Sequence, residues 1–277
     1  MSNPRSGPTT ALRVIAYELK ARRQRAGLTV AMAAEALGVH TMTVTRLERA
    51  QTAPRRATVA HLMDVYGADP EERRQLLDAL DRALEPGWWH SYRDVVPAHM
   101  DGLMDLESEA NVIRAYCPTL VPELLRTPEY ARALLEMDHP RADQEELERR
   151  GALLAARQRE RRGRLWAVMD ESALRRPVGG PKVLAEQLEA LRRYVEEPGR
   201  EGVTVQWIPI ASAPHPLLLS GPVEVYRHPH PRIPDHLVLR GPHEQTVTDT
   251  ADKVFTYTAA MDIVAARAQE PDTPLPV

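Results

Sequence analysis

Residues 28–50 read Leu-Thr-Val-Ala-Met-Ala-Ala-Glu-Ala-Leu-Gly-Val-His-Thr-Met-Thr-Val-Thr-Arg-Leu-Glu-Arg-Ala. The spacing predicts two short helices around a tight turn at Gly38-Val39. Thr29 is placed to cap the first, and Ala33, Ala34 and Leu37 recur on its inner face. Small alanines let a second helix approach closely. After the turn, Val44 and Leu47 repeat at i, i+3 and face inward, which turns Thr41, Met42, Thr45 and Arg46 outward. Two hydroxyls, a thioether and a guanidinium on one helix face suit a DNA major groove, where Thr, Met and Arg meet base edges.

Working outward, Ala11 to about Ala26 carries Leu12, Ile15, Ala16 and Leu19 on one side and stops at Gly27, the pattern of an amphipathic helix. Its last turns hold Lys20, Arg22, Arg23 and Arg25, whose preferred role is to favour the negative end of the helix dipole, with phosphate contact by some of them as the alternative. Beyond Pro54, Arg55 and Arg56 lead into a helix with Val59, Leu62, Met63 and Tyr66 at helical spacing. Asp69-Pro70-Glu71-Glu72 opens another that runs to about Leu84. The reading is a disordered lead over 1–10, an all-α domain of about five helices over 11–85, an α+β domain over 86–268 and a loose tail over 269–277. Pro86-Gly87 marks the boundary.

Charge is unevenly spread along the chain. Residues 1–66 hold ten Lys/Arg against four Asp/Glu, a net +6, which leaves −9 for the rest of a chain whose total is −3. A basic head on an acidic body fits a DNA-binding module joined to a domain that keeps DNA away. At 277 residues, 43% hydrophobic and 27% charged, the chain is an ordinary globular one. It shows neither a membrane-length apolar run nor the basic-then-apolar start of a signal peptide. The single cysteine, Cys117, excludes an internal disulfide and a cysteine-based zinc site. A cytoplasmic setting is expected, with no metal and no cofactor.

Leu28-Thr29, Ala34, Leu37-Gly38-Val39, Val44 and Arg46-Leu47-Glu48 together resemble the helix-turn-helix of lambda-repressor-like (XRE-type) transcriptional regulators. The resemblance implies base contacts from Thr41, Met42 and Arg46, and backbone contacts from Thr29, Thr43, Arg49 and Arg55. It also implies a homodimer on two half-sites of double-stranded DNA. Val30 stands where that family usually has Gln, and Ala50 where it usually has Gly.

Gly87-Trp88-Trp89, Val121-Pro122-Glu123-Leu124-Leu125-Arg126-Thr127-Pro128-Glu129-Tyr130-Ala131, Asp170-Glu171 and Gln187-Leu188 resemble an uncharacterised C-terminal domain. It is attached to many actinobacterial regulators of this type and is described as antitoxin-like. Glu123 and Arg126 replace its usual Gly and Gln. This resemblance implies a small protein partner encoded nearby or a small ligand. The rival to a regulator is therefore an interaction module that neutralises a small partner and binds DNA weakly.

Read by periodicity alone, the second domain opens with helical segments at about 103–116, 122–137 and 143–160. A buried strand follows at 165–169, and a helix at 181–196 with Pro181 at its start. Val203–Ile208, Val223–Arg227 and His236–Arg240 read as strands, and Thr248 to about Arg267 as a closing helix. A small mixed or antiparallel sheet results.

Three constellations there bear on chemistry. Glu171, Arg175 and Arg176 with Gly179-Gly180 before a helix start form a candidate anion or ligand site, since glycine-rich amides beside arginines hold phosphates or carboxylates. The alternative is a strand-to-helix connection whose arginines pair locally. His215, His228, His230, His236 and His243 are dense, but three adjoin prolines, which favours a solvated loop over a metal site. Ser220-Gly221 lacks the elbow and triad spacing of a hydrolase. No enzyme is indicated. Leu217-Leu218-Leu219 reads equally as an exposed partner patch or a buried plug, and Trp88, Trp89 and Tyr92 as aromatic anchors.

Overall fold

The periodicity of the first 85 residues becomes five helices: α1 (Thr10–Arg25), α2 (Val30–Leu37), α3 (Thr41–Glu48), α4 (Arg56–Val65) and α5 (Pro70–Leu84). The computed structural model describes residues 9–96, 100–231, 233–241 and 245–276. Most of the expected loose lead therefore lies outside the described residues. Thr9, Thr29 and Asp69 cap α1, α2 and α5 by accepting from the amides of Leu12, Met32 and Glu72. Asp69 and Glu72 form a reciprocal capping box, answering amides that a helix start leaves without internal partners.

Helices α1, α2 and α4 end on Gly27, Gly38 and Gly67, all at positive φ. At Gly38 the chain closes with the Schellman pair of bonds, Val39 N to Ala34 O and Gly38 N to Glu35 O, each 3.0 Å. The end of α3 has the same pair, Gln51 N to Arg46 O at 2.8 Å and Ala50 N to Leu47 O at 3.0 Å. There the left-handed residue is Ala50, at φ 53°. The replacement of Gly noted in the sequence thus leaves the turn intact and puts a Cβ where one is disfavoured.

Ile15 and Leu19 of α1, Ala33 and Ala34 of α2, and Val44 and Leu47 of α3 meet in one buried core. Arg23 of α1 lies inside it. Its guanidinium donates to both carboxylate oxygens of Glu48 at 2.6 and 2.9 Å and to the Leu28 carbonyl at 2.7 Å. Neither side chain of the pair is more than 9% exposed. Arg22 is held by Glu72. Arg22 and Arg23 are thus engaged within the fold, which sets aside the alternative of phosphate contact for these two.

The described chain divides into two compact units, Met1–Leu106 with His230–Ile233, and Glu107–Pro229 with Pro234–Val277. The division falls later than Pro86-Gly87 because the chain beyond α5 remains tied to the helices. The Thr10 amide donates to Asp105 on α6 (Asp101–Glu109). A 3-10 turn, Trp88–Tyr92, follows α5, with Trp88 edge-on to Trp89 and Tyr92 at centroid distances of 5.9 and 6.3 Å.

The second unit is built on β1 (Val112–Cys117), β2 (Arg164–Asp170), β3 (Val203–Ile208), β4 (Val223–Arg227), β5 (His236–Arg240) and β6 (Gln245–Thr248). They form one mixed sheet in the order β3-β2-β1-β4-β5-β6. β1, β2 and β3 are parallel, and β4, β5 and β6 antiparallel. Between them lie α7 (Pro128–Asp138), α8 (Gln144–Glu160), α9 (Glu171–Arg175) and α10 (Pro181–Glu196), and α11 (Ala251–Arg267) closes the fold.

Three expectations change. The helix expected over 103–116 stops at Glu109, and 112–117 becomes a central strand hydrogen-bonded on both sides. Its short apolar run fits either element, and pairing decides. The helix expected from 122 starts at Pro128, after a 3-10 turn at Glu123–Leu125, with Thr127 as cap. Residues 245–248 pair as an edge strand, so the last helix begins three residues later than expected. The loose tail is also corrected: Gln269 N donates to Trp207 O at 2.8 Å and Leu275 is buried.

One sheet face places Tyr116, Val168, Val223 and Leu237 against Met261 and Val264 of α11. The other face holds a buried ionic network. Arg157 of α8 grips Glu107 at 2.8 and 2.9 Å and Glu123 at 2.7 Å. Arg240 binds Glu224 at 3.0 Å, and Tyr226 donates to Glu224 at 2.7 Å. Surrounding arginines hold the Glu123 carboxyl well below the usual range against the cost of burial. Burial pushes the Cys117 thiol up to about 12, which keeps it a neutral core group.

Two stability measurements follow. Glu48→Ala strands the Arg23 guanidinium in the core and should cost about 3–5 kcal/mol in denaturant unfolding. Ala50→Gly releases the left-handed strain and should stabilise by about 0.5–1 kcal/mol, with α3 unchanged by circular dichroism.

Candidate nucleic-acid interface

Burial of Val44, Leu47 and Glu48 fixes which side of α3 faces out. Thr41, Met42, Thr43, Arg46 and Arg49 are exposed, with Met42 at 58%. Thr45 turns its hydroxyl back onto the Thr41 carbonyl at 3.1 Å, so it offers mainly its methyl group outward. Arg46, Arg49 and Arg55 are exposed and pair with no described carboxylate. Thr29 is exposed, and its oxygen is occupied in capping α2 through the Met32 amide at 3.2 Å. Val30, in place of the usual Gln, packs at the edge of the helical core. Thr41, Met42 and Arg46 thus sit on a helix whose other side is anchored, the condition for presenting a fixed pattern of side chains.

Electrostatics within this unit follow from local pairs. The hydrogen bond from Arg22 holds the Glu72 carboxyl down at about 2. Arg56 is taken by Asp81 at 2.9 Å. Those pairs match charge with charge around α4 and α5, while the outer side of α3 retains Arg46 and Arg49.

The second candidate lies at the end of β2. Glu171 accepts from Arg175 and, at 2.9 Å, from the Ile210 amide. Arg176 is exposed. The amides of Val178 and Gly180 are used locally, donating to the carbonyls of Arg176 at 2.8 Å and Pro177 at 3.0 Å. Gly179, at φ 68°, passes so close to α7 that a Cβ would stand 3.0 Å from that of Ala133. These contacts favour a strand-to-helix connection over an open anion cradle.

The histidines do not form the expected solvated loop. His215, His228 and His236 are buried, and His228 stacks edge-on against His236 at 5.4 Å. His230 lies 3.8 Å from Glu18, and His243 lies outside the described residues. Among the described residues no group of three or more His, Cys, Asp or Glu is arranged to hold a metal. Leu217-Leu218-Leu219 divides: Leu217 is buried, whereas Leu218 and Leu219 are 51% and 100% exposed.

Sequence reasoning missed a polar cluster where the parallel strands end. The Tyr116 hydroxyl donates to Asp170 at 3.1 Å and lies 3.4 Å from His215 Nε2, which is itself 3.6 Å from Asp170 Oδ1. Tyr116 fell in a segment read as helix, and His215 in a proline-flanked loop. Only Asp170 carried a signal, as part of the Asp170-Glu171 pair. Burial raises the Asp170 carboxyl, and Tyr116 and His215 only partly oppose that shift.

The five-helix unit and the exposed face of α3 define a helix-turn-helix module, and a helix-turn-helix domain model matches residues 15–76. A second family model, described as a domain of unknown function (DUF5753), matches residues 100–275. That match spans more than half of the chain, and the protein belongs to the DUF5753 family. No curated protein and no solved structure matches the chain. Among the described residues no helix is long and apolar enough to cross a membrane.

Because Asp170 binds its proton more tightly folded than unfolded, it lowers stability progressively as pH rises from the unfolded value through the folded one. Asp170→Asn should therefore match the wild type in melting temperature near about pH 4 and exceed it near about pH 7. A loss confined to about pH 7 would show instead that the carboxylate is needed in its charged form.

Proposed function

We propose that this protein is a sequence-specific, DNA-binding transcriptional regulator that acts in the cytoplasm as a homodimer. The observation that carries the reading is the exposed side of α3, where Thr41, Met42 and Arg46 stand together while the opposite side is buried. In this reading those three meet base edges, and Thr29, Thr43, Arg49 and Arg55 position the phosphate backbone. Residues 107–277, which contain the sheet, carry a net −4, a balance that discourages DNA from that unit, which serves dimerisation or the sensing of a ligand or small partner. Catalysis has no part in it.

One observation favours a second reading, an antitoxin-like interaction module. Ile210, Leu218 and Leu219, all in the connection between β3 and β4, are 68%, 51% and 100% exposed, as residues awaiting a protein partner would be.

The test is binding to DNA from the protein's own upstream region and to scrambled DNA across a salt series. Arg46→Ala should weaken the specific complex by about 1–3 kcal/mol and leave scrambled DNA almost unaffected. Equal, weak and steeply salt-dependent binding by both proteins would mean phosphate attraction alone. Tight capture of a small protein by the same chain would then favour the second reading.

A further inference from the structure

Helix α11 covers the sheet with Tyr257, Met261, Val264 and Ala265, so its opposite side faces solvent. A surface helix is normally polar there. On α11 that side instead carries Phe255, Ala259, Ile263 and Ala266, whose spacings of four, four and three residues form one stripe. Phe255 is the only phenylalanine in the chain and is 76% exposed; Ile263 is 42% exposed.

We infer that two copies of this chain pair through this stripe, with their α11 helices antiparallel about a two-fold axis at Ala259. The inference deepens the dimer part of the reading above. Antiparallel pairing about Ala259 sets Phe255 opposite Ile263 of the second copy, a large ring against a smaller branched chain. The small Ala259 meets its own equivalent, which lets the axes approach to about 8 Å. Charge selects the same arrangement. Asp252 stands in the first turn and Arg267 in the last, so the antiparallel pair brings Asp252 beside Arg267 of the second copy at both ends.

A parallel pair would oppose like charges and like helix dipoles. Arg267 is anchored at the helix end by donating to the Pro214 carbonyl. Asp262, the remaining acid near the stripe, is drawn aside by Arg114 at 2.7 Å.

One helix pair is smaller than the roughly 800 Å2 per partner of strong interfaces, so the dimer should form in about the micromolar range. The full chain should run as a dimer in sedimentation equilibrium at about 100 μM and dissociate on dilution. Phe255→Glu should give a monomer with an unchanged melting temperature, since Phe255 contributes little to the core. Ala259→Cys should oxidise to a disulfide-linked dimer, because the two-fold axis puts that position against itself, whereas Phe255→Cys should not. Asp252→Arg should weaken the dimer, and adding Arg267→Asp should restore it.

A wild type that stays monomeric, a dimer that survives Phe255→Glu, or equal cross-linking at 255 and 259 would each overturn the inference. Self-association needs no DNA, so failure of the DNA reading and failure of this pairing are seen in separate experiments.

Discussion

A guanidinium removed from water must meet a carboxylate, and in the core of each unit here that carboxylate comes from a different element. Arg23 on α1 meets Glu48 at the end of α3. Arg157 on α8 meets Glu107 on α6 and Glu123 in the turn before α7. An apolar core tolerates small changes of angle between its elements, because apolar burial is non-directional. A two-pronged ion pair does not. The pair between α1 and α3 holds the C-terminal end of α3 at one angle on the helical core.

That constraint leaves the outer side of α3 as the only part of the helix available for recognition. Val44, Leu47 and Glu48 are committed inward, and Thr45 is bonded to its own helix. What remains is a short run of dissimilar side chains on a rigid support. In the second unit, the ionic network serves one face of the sheet, and α11 covers the other with one of its two sides. A helix with one side buried and an aromatic on the other has more apolar surface than its own unit can cover.

The polar groups at the end of β2 show the opposite economy. Glu171, Arg175 and the amides around Gly180 resemble an anion cradle by composition, yet they bond largely to one another or to adjoining backbone. Tyr116, Asp170 and His215 come from three segments far apart in the chain and meet where the parallel strands end. A local motif and a tertiary site can therefore lie side by side, with the motif satisfied internally and the site assembled from residues that carry no joint signal.

Helix period, caps and left-handed turn residues were legible in the amino-acid order, because they depend on neighbours within about four positions. That is why Thr29, Gly38, Val44 and Leu47 sufficed to place α3 and its outward side. The charge split and most strands were legible for the same local reason. Tertiary structure alone decided that 112–117 is a central strand rather than the end of a helix, since only pairing to β2 and β4 separates the two. It also decided that Arg23 and three histidines are buried, and that Ala50 can stand where glycine is usual. Burial of a polar group depends on a partner supplied from a distant part of the chain, and such partners leave no periodic trace in the sequence.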